Sequence, residues 1–191
     1  MKKNFIKISL LSAFSTVLMF LEFPFPFFPH FLKFDFSDIP AVIGAFALGP
    51  MAGVAIELLK NIFHGILASS TAFIGELANF TVGAVFVLIS GTIYKFKKSK
   101  KGAYLSLSIA TFVMASAATA LNYFIFLPLY ETILGFKIEN IIQMSSKFNT
   151  FITDLKSLVL ISIFPFNLIK GIIISVIVIL IYKKLSPLLH K

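Results

Sequence analysis

The 191-residue sequence has no cysteine. That excludes disulfides and thiolate metal sites. It also has no arginine, so lysine carries all the fixed positive charge. Histidine is scarce: His30, His64 and His190 stand far apart, and no H-E-x-x-H occurs, which argues against a metal site. No G-x-x-x-x-G-K-[ST] run is present, so ATP hydrolysis by the P-loop route is excluded. Charge of either sign is also sparse. Charged residues make up 13% of the chain and hydrophobic residues 58%, whereas a soluble domain averages about 25% charged.

The charge that is present is placed informatively. Lys2, Lys3 and Lys7 form one cluster, Lys95 to Lys101 (KFKKSKK) a second, and Lys183, Lys184 and Lys191 a third. Each touches the end of a long apolar run. Cytoplasmic ends of membrane segments collect lysine. The pattern predicts an all-α integral membrane protein with both termini and one mid-chain loop inside, and an even number of spans between clusters. The net charge of +9 is not a nucleic-acid signature. The lysines are separated by apolar helices and form no single basic face, so no nucleic-acid partner is expected.

At about 20 residues per spanning helix, the length accommodates roughly six helices in one domain, residues 1–191. The expected spans are 5–23, 37–48, 51–67, 72–94, 103–127 and 157–182. The first is read as a retained helix and not a signal peptide, because Pro24–Pro29 (PFPFFP) follows where a small-residue cleavage site belongs. That proline-rich stretch ends the helix, and its aromatic character predicts a loop folded back onto the bundle. Ser37 or Asp38 is suited to cap span two, which is so short that neighbouring helices must flank it or the loop before it must dip into the membrane. Gly49-Pro50 and Ala68–Thr71 are turns. The segment from Pro128 to Lys156 is expected outside and partly helical, and Pro165 is expected to break span six.

Ionisable residues within apolar spans are the candidate functional groups, since each is costly in a bilayer and faces a cavity or a partner. Asn167 and Lys170 are i and i+3, sharing one face of span six. They read as polar anchors in a pocket open to the outside, or Lys170 pairs with Glu57 or Glu76, or snorkels outward. Glu57 and Lys60, also i and i+3, read as a self-neutralising pair. Glu76 and Asn79 either line a pocket or cap span four. Asn122 lines the same pocket or makes an interhelical hydrogen bond. In Lys33–Pro40, alternating charge and Phe predicts an extended segment with one apolar face, either a lid carrying Asp38 to the ligand or a plain cap on span two. Ser9 with Ala13, and Ser12 with Thr16, give small-x-x-x-small spacing for internal packing or for docking another membrane subunit.

These residues resemble a family. The stretch from Leu21 to Pro50 (LEFPFPFFPHFLKFDFSDIPAVIGAFALGP), then ELLKN, GELANF, PFNLIK and the closing LSPLLHK, resembles the riboflavin-specific substrate-binding (S) component of energy-coupling-factor (ECF) vitamin transporters. The likeness runs over nearly the whole chain. It implies a six-helix S-component fold with cytoplasmic termini in the cell membrane, and capture of riboflavin from outside. Carried over by motif, Asn167, Lys170, Asn122, Glu76, Asn79 and Asp38 become substrate-binding residues. Ser9 and Ala13 take the place of the A-x-x-x-A pair that packs on the coupling subunit. The implied partners are a transmembrane coupling subunit and two cytoplasmic ATPase subunits. Riboflavin is cargo, so no cofactor and no catalytic residue are implied. Alternatives are an S component for another vitamin and an autonomous proton-coupled carrier. An intramembrane enzyme built on Glu57, His64 and Glu76 lacks a converging constellation.

Overall fold

The computed structural model describes residues 2–189, with side chains over 4–182. The side chains of Lys2, Lys3, Lys183, Lys184 and Lys191, with His190, lie outside the described residues. The chain begins with α1 (Lys2–Met19), followed by a small hairpin of β1 (Phe23–Pro24) and β2 (Lys33–Phe34). The two strands are antiparallel, with Phe23 opposite Phe34 and Pro24 opposite Lys33. Then come α2 (Asp38–Leu48), α3 (Pro50–Ala68), α4 (Ile74–Phe96) and α5 (Lys100–Leu121). The remaining helices are α6 (Leu127–Leu134), α7 (Ile138–Ser146), α8 (Leu155–Leu158) and α9 (Phe164–Leu189). A π-helical turn, Asn122–Phe126, fuses α5 to α6, and a second, Val159–Ile163, fuses α8 to α9.

Among the described residues, four helical runs are long and apolar enough to cross a membrane: Pro50–Ala68, Ile74–Phe96, Lys100–Leu134 and Leu155–Tyr182. Asn4–Met19 and Asp38–Leu48 are shorter apolar helices. Helix α1 ends at Met19, four residues before the sequence-based limit. Phe23-Pro24 enters the hairpin instead, where proline's missing N–H is tolerated at a strand edge. Helix α5 does not stop at 127, and Pro165 does not break the last helix. Each π turn lies just before a proline, Pro128 or Pro165. Proline's ring collides with the carbonyl four residues back. A wider i→i+5 turn relieves the crowding and lets the helix continue.

Helix α2 is central. Its residues Asp38–Phe46 are all buried, and it packs on α1, α3, α4 and α9. Close approach depends on small residues: Gly53 of α3 sits against Ala41 and Ala45, and Gly91 of α4 against Ala45 and Pro50. Gly49 at φ 107° makes the reversal into α3, a conformation that disfavours any side chain. Ser37 occupies the N-cap position of α2 without a capping side-chain bond. Its backbone N–H donates to Asp35 Oδ1 at 2.8 Å, and its hydroxyl accepts from Lys60 Nζ at 2.8 Å.

The hairpin folds back onto the bundle. Phe25 packs at a tilt against Phe34 (centroids 5.4 Å), and Phe28 and Phe25 meet Phe166 of α9 edge-on at 5.7 and 6.2 Å. Phe34 joins a core with Ile56, Phe86, Met114, Phe166 and Ile174. A second apolar cluster of Ala118, Leu127, Ile141, Ile152, Leu158 and Ile163 seats α7 and α8 on the π turns.

Candidate ligand-binding site

A cavity of about 470 Å³ opens at the hairpin end of the bundle. This is within the roughly 300–1,000 Å³ usual for small-molecule sites. Asp38 of α2, Glu76 and Asn79 of α4, Asn122 of the first π turn, and Asn167 and Lys170 of α9 all line it. Four separate segments therefore bring the six residues expected from the sequence to one cavity. Leu32, Val82, Met114, Leu127 and Phe166 supply apolar surface between them.

The two asparagines are held alike. Asn122 Nδ2 donates to the Ala118 carbonyl at 2.8 Å, and Asn167 Nδ2 donates to the Ile163 carbonyl at 2.9 Å. Each amide is thereby fixed by its own helix, with its Oδ1 left as an acceptor. Asn79 Oδ1 is buried and accepts no hydrogen bond among the described residues. An acceptor buried without a donor is unfavourable by about 1–3 kcal/mol, which a ligand donor would relieve.

Glu76 is committed more fully. Its Oε1 lies 3.1 Å from His64 Nδ1, while its Oε2 accepts from Ser69 (2.9 Å) and Thr71 (3.3 Å) hydroxyls. It ties the α3–α4 turn to His64 and does not cap its own helix.

A buried ion network runs from the cavity lining (Asp35, Asp38 and Lys170) inward to Lys60 and Glu57. Lys170 Nζ lies 3.1 Å from Asp35 Oδ2 and 3.1 Å from Asp38 Oδ2. Asp38 Oδ1 pairs in turn with Lys60 Nζ, which also sits 2.8 Å from Glu57 Oε2. The Lys60 and Glu57 side chains are 0% exposed. The Glu57–Lys60 pair of the sequence reading is present, with Asp38 as an additional member. The partner of Lys170 is neither Glu57 nor Glu76. Asp35 is also turned inward, so Lys33–Phe36 does not separate charge from phenylalanine by face. Lys33 remains on the rim and pairs with Glu22 across the hairpin base.

Asp35, His64 and Tyr130 line the cavity without having been nominated as binding residues. One signal for His64 was available: Glu57, Lys60, Asn61 and His64 follow i, i+3, i+4, i+7, a single helix face. Tyr130 lies in the segment expected outside and partly helical, and no periodicity marked it.

In α1, Ser12 and Thr16 face inward, donating to the Ile8 and Ser12 carbonyls at 2.8 and 2.9 Å. Ser9 and Ala13 face outward, on the side that exposes Phe5, Ile6, Leu10 and Val17. Internal packing therefore uses one small pair and leaves the other free.

Residues 3–182 match the family described as the ECF transporter, substrate-specific component. The chain belongs to that family. Its members are transport components and not enzymes, and this chain is a multi-pass membrane protein of that kind. It is 41% identical over 189 residues to the riboflavin transporter RibU of Staphylococcus aureus (strain TCH60), covering 99% of this chain and 93% of that one. It is 39% identical to the riboflavin transporter FmnP of Bacillus subtilis (strain 168), covering 97% and 93%. Among solved structures, the S component of a bacterial ECF transporter superposes with a TM-score of 0.79 at 38% identity, covering 100% of this chain and 99% of that one.

Proposed function

We propose that this chain is the high-affinity riboflavin-binding S component of an ECF-type, ATP-driven vitamin importer, and that it captures riboflavin from outside. The observation that carries the reading is the convergence of Asn79, Asn122, Asn167 and Lys170 on one cavity with apolar walls. Riboflavin has a flat apolar ring system, a polar pyrimidine edge and a hydroxylated tail. Apolar walls suit the ring, and a few fixed donors and acceptors suit the edge and tail. The names of the two relatives support the same ligand.

In this reading the two short apolar helices and the four long ones are six spans of a single domain in the cell membrane. Both termini and the Lys95–Lys101 loop are cytoplasmic, as the lysine clusters imply, and the cavity faces outward. The chain has no phosphate-binding loop, so energy comes from partners: a transmembrane coupling subunit and two cytoplasmic ATPases. The outward Ser9–Ala13 stripe of α1 is the docking surface, because small residues admit another helix closely.

The test is direct. Purified protein should be yellow, release riboflavin on denaturation by mass spectrometry, and quench riboflavin fluorescence stoichiometrically. Reconstituted alone, it should bind riboflavin but accumulate none. Protein that carries a different vitamin, or that concentrates riboflavin without ATPases, would overturn the proposal.

A further inference from the structure

The cavity lysine is held by two carboxylates, Asp35 and Asp38, that share the cavity lining with it. Lys170 carries three N–H donors. Its ammonium donates to Asp35 Oδ2 at 3.1 Å and meets Asp38 Oδ2 at the same distance, which leaves one donor for the cavity. Neither carboxylate is free to turn. Asp35 spends Oδ1 on the Ser37 backbone N–H at 2.8 Å. Asp38 spends Oδ1 on Lys60, whose Nζ also donates to Ser37 Oγ at 2.8 Å. Ser15 of α1 fixes Ser37 further by donating to its carbonyl. The chain of contacts therefore passes from α1 and α3 through the start of α2 to one ammonium on α9.

We propose that Asp35 and the Lys60–Asp38 pair are positioning residues that aim Lys170 and limit it to one ligand-facing donor. Four consequences follow from the geometry. Lys170 reads a single acceptor on the ligand, in a defined direction. Its charge is already matched by carboxylates, so it selects a neutral acceptor such as a carbonyl oxygen over an anion. Asp38 acts on the ligand through Lys170, because both of its oxygens are occupied by lysines. Asp35 directly follows β2, so this arrangement also makes the aim of Lys170 depend on the hairpin being seated.

The inference rests on the riboflavin reading, and a thermodynamic cycle separates the two. Riboflavin affinity would be measured by fluorescence quenching on wild type, Asp35→Asn, Asp35→Glu, Lys170→Met and Lys170→Met/Asp35→Asn. Asn preserves the acceptor for the Ser37 N–H and replaces the charged acceptor facing Lys170 by an NH2 donor, so the ammonium loses this partner outright. Asp35→Asn should weaken binding about tenfold, the scale of one charge-assisted hydrogen bond, and Asp35→Glu should restore part of it. In the Lys170→Met background the same Asp35→Asn change should leave affinity unchanged within about twofold, since there is no ammonium left to aim. Equal losses in both backgrounds would show Asp35 acting independently of Lys170 and overturn the proposal. So would wild-type binding by Asp35→Asn. If Asp35→Asn alone does not fold, the comparison of Lys170→Met with its charge-balanced double variant decides, and a further loss of more than about twofold in the double variant overturns the proposal. Failure of wild type to bind riboflavin at all would instead remove the functional reading.

Discussion

Lys60→Met isolates the energetic role of the buried network. With every group ionised, Asp35, Asp38 and Glu57 contribute three negative charges, and Lys60 and Lys170 contribute two positive ones. The cluster carries −3 + 2 = −1. Lys60→Met keeps most of the apolar stem and changes that sum to −2. It also strips Glu57 of its ion-pair partner, although neither Glu57 oxygen accepts a hydrogen bond even in the intact protein. Removing one partner of a buried pair typically destabilises by about 3–5 kcal/mol, because a charge is left uncompensated. Adding Glu57→Gln returns the cluster to −1, with Asp38 still held by Lys170. The double variant should therefore recover at least about half of the loss. Unfolding of ligand-free protein would be followed by far-UV circular dichroism during SDS titration, since the chain has no tryptophan to report by fluorescence. A Lys60→Met protein within about 0.5 kcal/mol of wild type, the range of an ordinary surface substitution, would refute the reasoning. So would a double variant no more stable than the single one.

Other outcomes follow from the same structure. Asn122→Ala and Asn167→Ala should each weaken riboflavin binding roughly tenfold, by loss of a fixed acceptor worth about 1–3 kcal/mol, and quenching titrations would measure it. Ser9→Leu and Ala13→Leu should leave binding intact and reduce ATP-driven uptake by the assembled transporter, and equal loss of both would place this stripe in internal packing. Cysteines introduced at Lys98 and Lys147 into this naturally cysteine-free chain should differ on intact cells, with an impermeant reagent labelling position 147 only. Asp154 lies in the capping box of α8, where the Ser157 backbone N–H holds its carboxyl below the usual carboxylate range. A depressed folded value stabilises above the unfolded carboxylate range and is lost as pH falls through it. The protection factor for hydrogen exchange at the start of α8, the observed rate taken against the intrinsic rate at each pH, should therefore fall in acid, and Asp154→Asn should flatten that response.

Much of the site could be read locally. Asn167 and Lys170 stand one turn apart after a proline, and Glu76 and Asn79 repeat that spacing, so periodicity alone put each pair on a face. The partners could not be read this way. Lys170 and Asp35 are 135 residues apart, and charge patterning offered Glu57 and Glu76 as equally good candidates. Alternating charge and phenylalanine over Lys33–Pro40 predicted one apolar face, with Asp35 on the other. A buried countercharge overrode that preference. The same limit applies to the prolines. Pro128 and Pro165 correctly marked irregular backbone, but the sequence did not distinguish a helix that stops from one that widens for a turn and continues.

That continuation sets where the ligand is met. From Lys100 to Leu134 the helical run has 35 residues, or about 52 Å at 1.5 Å per residue. A bilayer's hydrocarbon layer is about 30 Å thick, so an upright rod of this length outreaches it by some 20 Å. Tyr130 and Leu134, near its far end, belong to the cavity wall. In the proposed orientation, with the Lys95–Lys101 end inside, the mouth of the cavity would stand among the lipid headgroups or beyond them. A water-soluble vitamin then reaches its site without crossing any hydrocarbon, and the barrier to entry is displacement of protein side chains instead of partitioning into lipid.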